Sequence, residues 1–301
     1  MQTGGIHLED SLNIKLPYQL VAFDLDNTTL YRGEMSASTK RSLHMIHQHG
    51  AVTVAATGRH ISLIPASIRH SKSIDFIICV TGSSIYRVKT REMTHLRQLT
   101  LAQAQLAIAI CKRMQGRLNL VTRERAFAEK AAFQAFVKSS AVKGKTRKKT
   151  SIMQVFRLLK LMFASSLMDD AASYLETHPH AGVMKIDAFF DNDEQTHEAA
   201  QLLRGNGNFE VAESHRYLEI TVKGCTKGTG LQRLYDWIGC TADDVIAFGD
   251  SGNDLSMVEH SGMFVAMGNA EPAVLQCAGR IAPDVCEDGF ASVISEVFAI
   301  G

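Results

Sequence analysis

The sequence predicts an α/β protein, with a parallel β-sheet that has helices on both faces and a second, smaller α/β domain inserted into it. Two observations lead to this prediction. Short apolar runs alternate with helical patterns near both ends of the chain, and this alternation stops in the middle. The runs are apolar throughout, which is typical of strands that are covered on both faces. A strand–helix–strand order favours a parallel sheet.

Four apolar runs, each bounded by turn residues, are the candidate strands of this sheet: Leu20 to Phe23, Ala51 to Ala56, Phe76 to Val80 and Val245 to Phe248. Two segments between them have apolar residues at helical spacing, Ser38 to His49 and Gly228 to Ile238. Gly50 follows the first of these segments, and a glycine is a common helix stop. These elements form the outer domain, for which we predict residues 1–86 and 215–301.

The middle of the chain, residues 87–214, has a different character and is predicted to be the inserted domain. Its candidate elements are three helices and one extended run: Leu101 to Met114, Ala126 to Lys138, Asp169 to His178, and Val183 to Phe190. The stretch Val155 to Phe163 is apolar on nearly every side, and its period identifies neither a helix nor a strand. Since candidate catalytic segments lie on both sides of this region, the outer parts are expected to fold together.

Composition and charge exclude several classes of protein. The 301 residues carry 32 basic and 31 acidic side chains, so the net charge of +1 gives no reason to expect a nucleic-acid or membrane partner. No apolar run approaches the ~18 residues of a membrane span, and the N-terminal segment lacks the apolar core of a signal peptide. The six cysteines show no metal-binding spacing. We therefore expect a soluble protein in the reducing cytoplasm.

One segment of the predicted insert is strongly basic. From Lys130 to Met168 there are nine Lys or Arg residues and no acidic residue, with a dense run from Lys143 to Lys149. A solvated loop explains this run most simply. The alternative is a positive surface that favours substrates with a second anionic group.

Polar side chains follow three of the candidate strands, and a lysine begins one of the candidate helices. These residues are Asp24, Asp26, Thr57, Lys227, Asp250 and Asp254, and Gly58 beside Thr57 lets backbone N–H groups approach an anion. The carboxyl ends of parallel strands meet at one edge of a sheet, so these groups can converge there. Taken singly, each has an ordinary structural explanation, such as a strand-end hydroxyl, a solvated lysine, a turn residue or a helix cap. Their joint occurrence in this order favours a catalytic site.

This set of side chains fits phosphoryl transfer through a carboxylate. A phosphate dianion repels Asp24 as a nucleophile, and four nearby carboxylates repel one another. Mg²⁺ relieves both repulsions, because it prefers oxygen ligands and bridges carboxylates and phosphate. Lys227 and Thr57 would hold the remaining phosphate oxygens. Asp26 would protonate the leaving oxygen and then activate the water that breaks the aspartyl-phosphate.

Four segments of the chain resemble the four motifs of the haloacid dehalogenase-like hydrolases. They are DLDNTTL from Asp24 to Leu30, ATGR from Ala56 to Arg59, TKG from Thr226 to Gly228, and GDSGND from Gly249 to Asp254. The tail from Val265 to Ala270 and the segment from Glu287 to Phe290 are similar to the Cof-type branch. One segment departs from that branch, because Thr81-Gly82-Ser83-Ser84 stands where the branch usually has Asn-Gly-Ala.

The resemblance implies a Rossmann-like core with an inserted type 2 cap domain that selects the substrate, and Mg²⁺-dependent phosphatase activity. It implies that Asp24 is the nucleophile and Asp26 the acid/base. The phosphate-binding residues would be Thr57, Gly58, Lys227 and Asn253. The metal ligands would be Asp24, the main-chain carbonyl of Asp26, Asp250 and Asp254, the last either directly or through a water. The substrate would be a small phosphate ester, either a sugar phosphate or a phosphorylated cofactor.

Two alternatives to a phosphatase remain at this stage. A phosphomutase would use the same groups but return the phosphoryl group to a reoriented intermediate. A binding or regulatory module that has lost catalysis would normally also have lost a nucleophile or a metal carboxylate, and both are present here. The sequence does not identify the substrate, a protein partner or the oligomeric state.

Overall fold

The computed structural model describes residues 16–132, 134 and 165–298. They form two compact units, one of residues 16–58, 65–96 and 225–298, and the other of residues 59–64, 97–132 and 165–224. The basic run Lys143 to Lys149 and the stretch Val155 to Phe163 lie outside the described residues. The units differ from the predicted boundaries at 86/87 and 214/215. A strand hairpin up to His95 extends the first unit, and strands up to Val222 belong to the second.

The strands of the described residues are, in chain order, β1 Leu20–Phe23, β2 Val52–Ala56, β3 Phe76–Cys79, β4 Ser84–Arg87, β5 Glu92–His95, β6 Arg117–Thr122, β7 Ala126–Glu129, β8 Ser165–Met168, β9 Val183–Phe189, β10 Phe209–Ser214, β11 Tyr217–Val222, β12 Val245–Gly249, β13 Met263–Ala266 and β14 Arg280–Ile281. The α-helices whose bounds lie within the described residues are α1 Ala37–Gln48, α2 Ala66–Arg69, α3 Leu101–Arg113, α4 Ala171–Thr177, α5 Asp193–Asn206, α6 Lys227–Ile238, α7 Pro272–Cys277 and α8 Gly289–Val297.

The first unit contains an eight-stranded sheet in the order β14-β13-β12-β1-β2-β3-β4-β5. The strands from β14 to β3 pair in parallel, whereas β4 and β5 pair antiparallel. The four predicted strands are confirmed, as β1, β2, β3 and β12, and every residue in them is buried. Strand β3 ends at Cys79 rather than at the predicted Val80, because the backbone of Val80 turns to a positive φ of 50°.

Helices cover both faces of this sheet, as predicted for an α/β fold. On one face, Leu231 and Leu234 of α6 pack into a buried cluster with Leu20 and Ala22 of β1. On the other face, Phe290 of α8 lies edge-on to Phe23, with ring centroids 5.5 Å apart. Burial on both faces explains why these strands are apolar at successive positions.

The second unit contains a six-stranded sheet in the order β10-β11-β9-β6-β7-β8. Helices α3, α4 and α5 contribute to one buried cluster with alternate residues of the strands, such as Leu118 and Leu120 of β6. The residue between these two, Asn119, is only half-buried. This alternation is typical of an antiparallel sheet that has helices on one face.

The predicted helix from Ala126 to Lys138 is wrong in its first part, because Ala126–Glu129 is strand β7. Local composition favours a helix there, but β7 pairs antiparallel with β6 and parallel with β8. The Glu129 carboxylate is also buried, and it accepts hydrogen bonds at 2.9 Å from the backbone N–H groups of Leu118 and Ala171. Pairing and this buried carboxylate outweigh helix propensity, which is a weak determinant.

The other elements predicted for the insert are present. The predicted helices Leu101 to Met114 and Asp169 to His178 are α3 and α4, and the extended run Val183 to Phe190 is β9. No helix among the described residues is long and apolar enough to cross a membrane.

Candidate active site

Three neighbouring parallel strands, β12, β1 and β2, end at the same edge of the first unit's sheet. The residues that follow them are Asp250, Asp24 and Thr57, all of which are buried. The Asp24 N–H donates to the Phe248 carbonyl at 3.0 Å, which continues the ladder between β1 and β12 past the end of β1. The sheet therefore positions two carboxylates and a hydroxyl-bearing residue along one edge, as expected from the sequence.

Lys227 enters this edge as the first residue of helix α6. The helix begins here because the Thr226 hydroxyl accepts a hydrogen bond from the Thr229 N–H at 3.1 Å, while the Thr226 N–H donates to the Thr229 hydroxyl at 3.0 Å. The Lys227 side chain is 1% exposed. Its Nζ lies 2.6 Å from Asp24 Oδ1 and 2.7 Å from Asp254 Oδ1. One buried ammonium thus bridges two buried carboxylates.

Hydrogen bonds in and near the turn after β12 orient the carboxylates of Asp250 and Asp254. Asp254 Oδ2 accepts hydrogen bonds from the N–H groups of Asp250 at 3.0 Å and Ser251 at 3.1 Å. Asp250 Oδ1 accepts one from the Thr28 hydroxyl at 3.0 Å. Because backbone groups and a buried hydroxyl occupy these oxygens, each carboxylate has a defined orientation.

Carboxylate oxygens of Asp24, Asp250 and Asp254 all lie within 4.8 Å of one another. Burial raises the pKa of Asp24 well above its usual range, although Lys227 opposes this increase. Burial also raises the pKa of Asp250 to about 7, and repulsion from Asp254 adds to the increase. Burial alone would lower the pKa of Lys227, but Asp24 and Asp254 raise it above its ordinary value. Ionising Asp24 and Asp250 in the folded protein is therefore less favourable than in water.

These residues fit a divalent cation. In the fully ionised state, three carboxylates and one ammonium would carry a net charge of −2 (three negative charges and one positive), and all four groups are buried. Oxygen ligands of this kind suit Mg²⁺, a hard cation. A dication would offset the mutual repulsion of the carboxylates, which adds to the effect of burial on the pKa values of Asp24 and Asp250.

The other predicted site residues lie in the same turns. Thr57 is 1% exposed, and its N–H donates to the Ile78 carbonyl at 2.8 Å. Gly58 follows it and is half-buried. Asp26 lies in the turn after β1, and its side chain is not one of the three clustered carboxylates. Asn253 Oδ1 accepts a hydrogen bond from the Ser251 hydroxyl at 3.0 Å, within the turn that carries Asp250.

Sequence reasoning missed three residues that hold the turn after β1. Thr28 donates to Asp250, and the Thr29 hydroxyl donates to the Asp24 carbonyl at 2.8 Å. Asn269 Nδ2 donates to the Asn27 carbonyl at 2.9 Å. Both threonines lie in the segment that shows the first motif, and Asn269 lies in the tail segment typical of the branch. In the sequence, only the hydroxyl and amide groups of these residues pointed to such a role. For Thr28 and Asn269 the hydrogen-bond partner is more than 200 residues away in sequence, so the pairing could not be predicted.

The family model of the haloacid dehalogenase-like hydrolases matches residues 21–294, nearly the whole chain. The chain belongs to this family. The match includes all four motif segments and the second unit that separates them.

Among relatives that align over most of their length, an HMP-PP phosphatase of Yersinia enterocolitica is 26% identical over 260 residues. That alignment covers 86% of this chain and 87% of the relative. The 5-amino-6-(5-phospho-D-ribitylamino)uracil phosphatase YitU of Bacillus subtilis is 43% identical over 83 residues, covering 28% of this chain and 31% of YitU. The chain spans about a third of the length of two of the curated relatives it matches.

Solved structures support the fold. A haloacid dehalogenase-like hydrolase from B. subtilis superposes with a TM-score of 0.79 at 19% identity, covering 92% of this chain and 99% of that one. The sugar phosphatase BT4131, of subclass IIB, superposes with a TM-score of 0.74 at 19% identity, covering 92% of this chain and 98% of that one. At this identity, the likeness shows the α/β fold with its parallel sheet and not a shared substrate.

Proposed function

We propose that this protein is a Mg²⁺-dependent phosphatase that hydrolyses a small phosphorylated metabolite through an aspartyl-phosphate intermediate. The observation that carries the proposal is the buried array in which Lys227 bridges Asp24 and Asp254, with Asp250 beside them. Burying three carboxylates with a single ammonium destabilises the folded protein, and such arrays are typical of functional sites.

In this proposal Asp24 attacks the phosphorus atom and forms the aspartyl-phosphate. Lys227 neutralises the attacked phosphoryl oxygens and, through its contact of 2.6 Å, favours the ionised form of Asp24 against the effect of burial. The Thr57 hydroxyl, the Gly58 N–H and Asn253 bind further phosphate oxygens. Asp26 gives a proton to the leaving oxygen and then takes one from the water that cleaves the intermediate.

Asp24, Asp250, Asp254 and the main-chain carbonyl of Asp26 would hold the metal ion. When bound, Mg²⁺ would neutralise charge on the transferring phosphoryl group. The role of the chain is to hold the carboxylates in a defined orientation. Thr28 does so for Asp250, and the Asp250 and Ser251 N–H groups do so for Asp254.

The substrate class rests on the names of the relatives. They include an HMP-PP phosphatase and a phosphatase of 5-amino-6-(5-phospho-D-ribitylamino)uracil, and one similar structure is that of a sugar phosphatase. We therefore propose a sugar phosphate or a phosphorylated cofactor as substrate, selected by the second unit. The proposal includes a cytoplasmic location, as expected from the sequence. No specific observation favours a phosphomutase.

The test is phosphate release from a panel of phosphorylated metabolites and an aryl phosphate, with Mg²⁺ and with a chelator. We expect Mg²⁺-dependent release by the wild type and a loss of more than ~1,000-fold in Asp24→Asn, because removing a nucleophile leaves little catalysis. Asp169→Asn is the matched control, since that side chain is 84% exposed and in the second unit. An unchanged rate in Asp24→Asn, or no release from the whole panel, would contradict the proposal.

A further inference from the structure

The turn that follows β3 has an unusual backbone. Val80, Thr81 and Gly82 have φ angles of 50°, 54° and 97°, so three successive residues lie in the left-handed region. Val and Thr are β-branched, and their Cβ atoms make this region costly. All three residues are buried. A strained turn of this kind persists only where its surroundings hold it.

One side of this turn contacts Thr57, a proposed phosphate-binding residue. The Thr81 N–H donates to the Thr57 carbonyl at 3.1 Å, and the Thr57 N–H donates to the Ile78 carbonyl at 2.8 Å. Both backbone groups of Thr57 are therefore bonded to β3 or to the turn after it. The position of Thr57 depends on the path of this segment.

The other side of the turn lies directly against the start of α6, which carries Lys227. A Cβ added at Gly82 would lie 2.0 Å from the Thr226 carbonyl oxygen and 2.7 Å from its carbon. A Cβ at Gly230, one turn further along α6, would lie 3.1 Å from the Gly82 Cα. Beside this contact, the Ser83 hydroxyl and the Cys225 thiol are 3.2 Å apart. The backbones of the turn and of the helix start are in contact, with no side chain between them.

We infer that the turn Val80–Gly82 is a positioning element that sets the separation between Thr57 and Lys227. The inference rests on the proposed function, in which these two residues hold the same phosphoryl group. The turn reaches Thr57 through the Thr81 N–H and the helix start through the bare Cα of Gly82. The left-handed backbone allows both contacts within two residues. A turn that only joined β3 to β4 would need neither the strain nor the close approach to Thr226.

The test uses three glycine variants that differ in what their new methyl group meets. Gly82→Ala must displace the Thr226 backbone, because its Cβ at 2.0 Å is more than an ångström inside ordinary contact. Gly230→Ala meets the end of the Ile78 side chain at 2.8 Å and the Gly82 Cα at 3.1 Å, so its displacement is smaller. Gly50→Ala is the matched control, because Gly50 has a φ of 90° and no neighbouring atom within 4 Å.

The readouts are kcat/KM for an aryl phosphate with Mg²⁺, the inhibition constant of inorganic phosphate, and the apparent Tm. For Gly82→Ala we expect a loss of about 100-fold in kcat/KM, the order of effect of a misplacement of about one ångström. The inhibition constant should rise by about tenfold or more in Gly82→Ala, and by less in Gly230→Ala. Gly50→Ala should lower the Tm and leave both kinetic quantities within about twofold of the wild type.

A fourth variant tests the strain itself. Asn accepts the left-handed region more readily than Thr, so Thr81→Asn should raise the apparent Tm by about 2–4 °C. A lower Tm for Thr81→Asn than for the wild type would contradict the claim that the backbone of Thr81 is strained. If Gly82→Ala does not fold, the phosphate inhibition constant of Gly230→Ala tests the positioning role instead.

A phosphate inhibition constant that stays within about twofold in the folded Gly82→Ala and Gly230→Ala proteins, while the Tm falls as in Gly50→Ala, would overturn the inference. That result would leave a turn that serves stability alone. A wild-type protein that neither turns over the aryl phosphate nor binds phosphate would instead contradict the proposed function, and the inference with it. The two failures are distinguishable, because the second appears in the wild type.

Discussion

At the scale of single residues, the Lys227 ammonium determines how the candidate site holds its charge. It contacts Asp24 and Asp254, and all three side chains are at most 7% exposed. Removing one partner of a buried ionic array leaves the other charges uncompensated, which costs about 3–5 kcal/mol. Sequence order alone predicted a phosphate-binding lysine at this position, but not its two carboxylate partners.

We predict that Lys227→Met lowers the free energy of unfolding by about 3 kcal/mol in the metal-free protein and reduces kcat/KM for an aryl phosphate by more than about 100-fold. Urea unfolding and steady-state kinetics measure the two effects. Lys223→Met is the control, since that lysine is 64% exposed. A Lys227→Met protein as active as the control would contradict the role assigned to the ammonium.

The pKa of Asp250 predicts how metal binding depends on pH. Burial and then Asp254 raise this pKa to about 7, while Thr28 and Lys227 oppose the increase. Below pH 7 a proton must leave before the carboxylate can bind a cation. The Mg²⁺ dissociation constant measured by calorimetry should therefore rise by up to about tenfold for each unit of pH below 7.

The raised pKa of Asp250 has the opposite effect on the stability of the metal-free protein, which falls as the pH rises. Between the ordinary pKa of 3.8 and the folded pKa of about 7, the folded state binds more protons than the unfolded state. This group's contribution to stability is therefore greatest below pH 3.8 and is lost as the pH rises through that window.

A Mg²⁺ affinity that does not change between about pH 5 and about pH 8 would contradict the assignment of Asp250 as a ligand.

At the scale of elements, a buried ionic group joins two strands of the second unit. Lys185 of β9 is 4% exposed, and its Nζ lies 2.8 Å from Asp187 Oδ1 and 3.3 Å from Glu219 Oε1. The Tyr217 hydroxyl of β11 donates to both carboxylates, at 2.8 Å and 3.0 Å. Burial raises the pKa of Asp187, although Lys185 opposes the increase. This group lies on β9 and β11, which the sheet pairs antiparallel.

We predict that Lys185→Met lowers the free energy of unfolding by about 3 kcal/mol or more, because it leaves two buried carboxylates without their cation. Denaturant unfolding of the full chain measures the change. Lys223→Met serves again as the exposed control in the same unit. A loss below about 1 kcal/mol would show that the carboxylates are compensated in another way.

Elements that carry an unambiguous local pattern were predictable from the sequence. Strand β1 is continuously apolar and buried on both faces, and its prediction is confirmed. Strand β7 was predicted as a helix because Ala126 to Lys138 has high helix propensity, whereas strand pairing and the buried Glu129 carboxylate determine the observed structure. The hairpin of β4 and β5 was missed because Glu92–His95 is mostly exposed and has no apolar pattern.

At the scale of the whole chain, the candidate site is assembled from segments that are far apart in sequence. Lys227 lies 203 residues after Asp24, yet the two side chains are in direct contact. The sequence predicted which strand ends would meet, since parallel strands converge at one edge. It could not predict the contacts of Thr28 or Asn269, or the left-handed turn after β3, because these depend on side-chain geometry between distant segments.

We predict that Mg²⁺ stabilises one of the two units more than the other. All of the proposed ligands belong to the first unit, so Mg²⁺ should stabilise that unit specifically. At a concentration of 100 times its dissociation constant, a ligand stabilises the folded state by about 2.7 kcal/mol. Hydrogen exchange should slow in β12 and at the start of α6 when Mg²⁺ is added, and β6 and β9 should serve as internal controls. Equal protection in both units would contradict this placement of the ligands.

In the proposed mechanism Asp24 carries the phosphoryl group during turnover, and rapid acid quench followed by peptide mass spectrometry measures this directly. With an aryl phosphate and Mg²⁺, we predict one added phosphoryl group on Asp24 in the wild type. The modification should disappear in Asp24→Asn and persist in Asp169→Asn. Steady turnover with no phosphoryl group on Asp24, or with the group on another residue, would contradict the account.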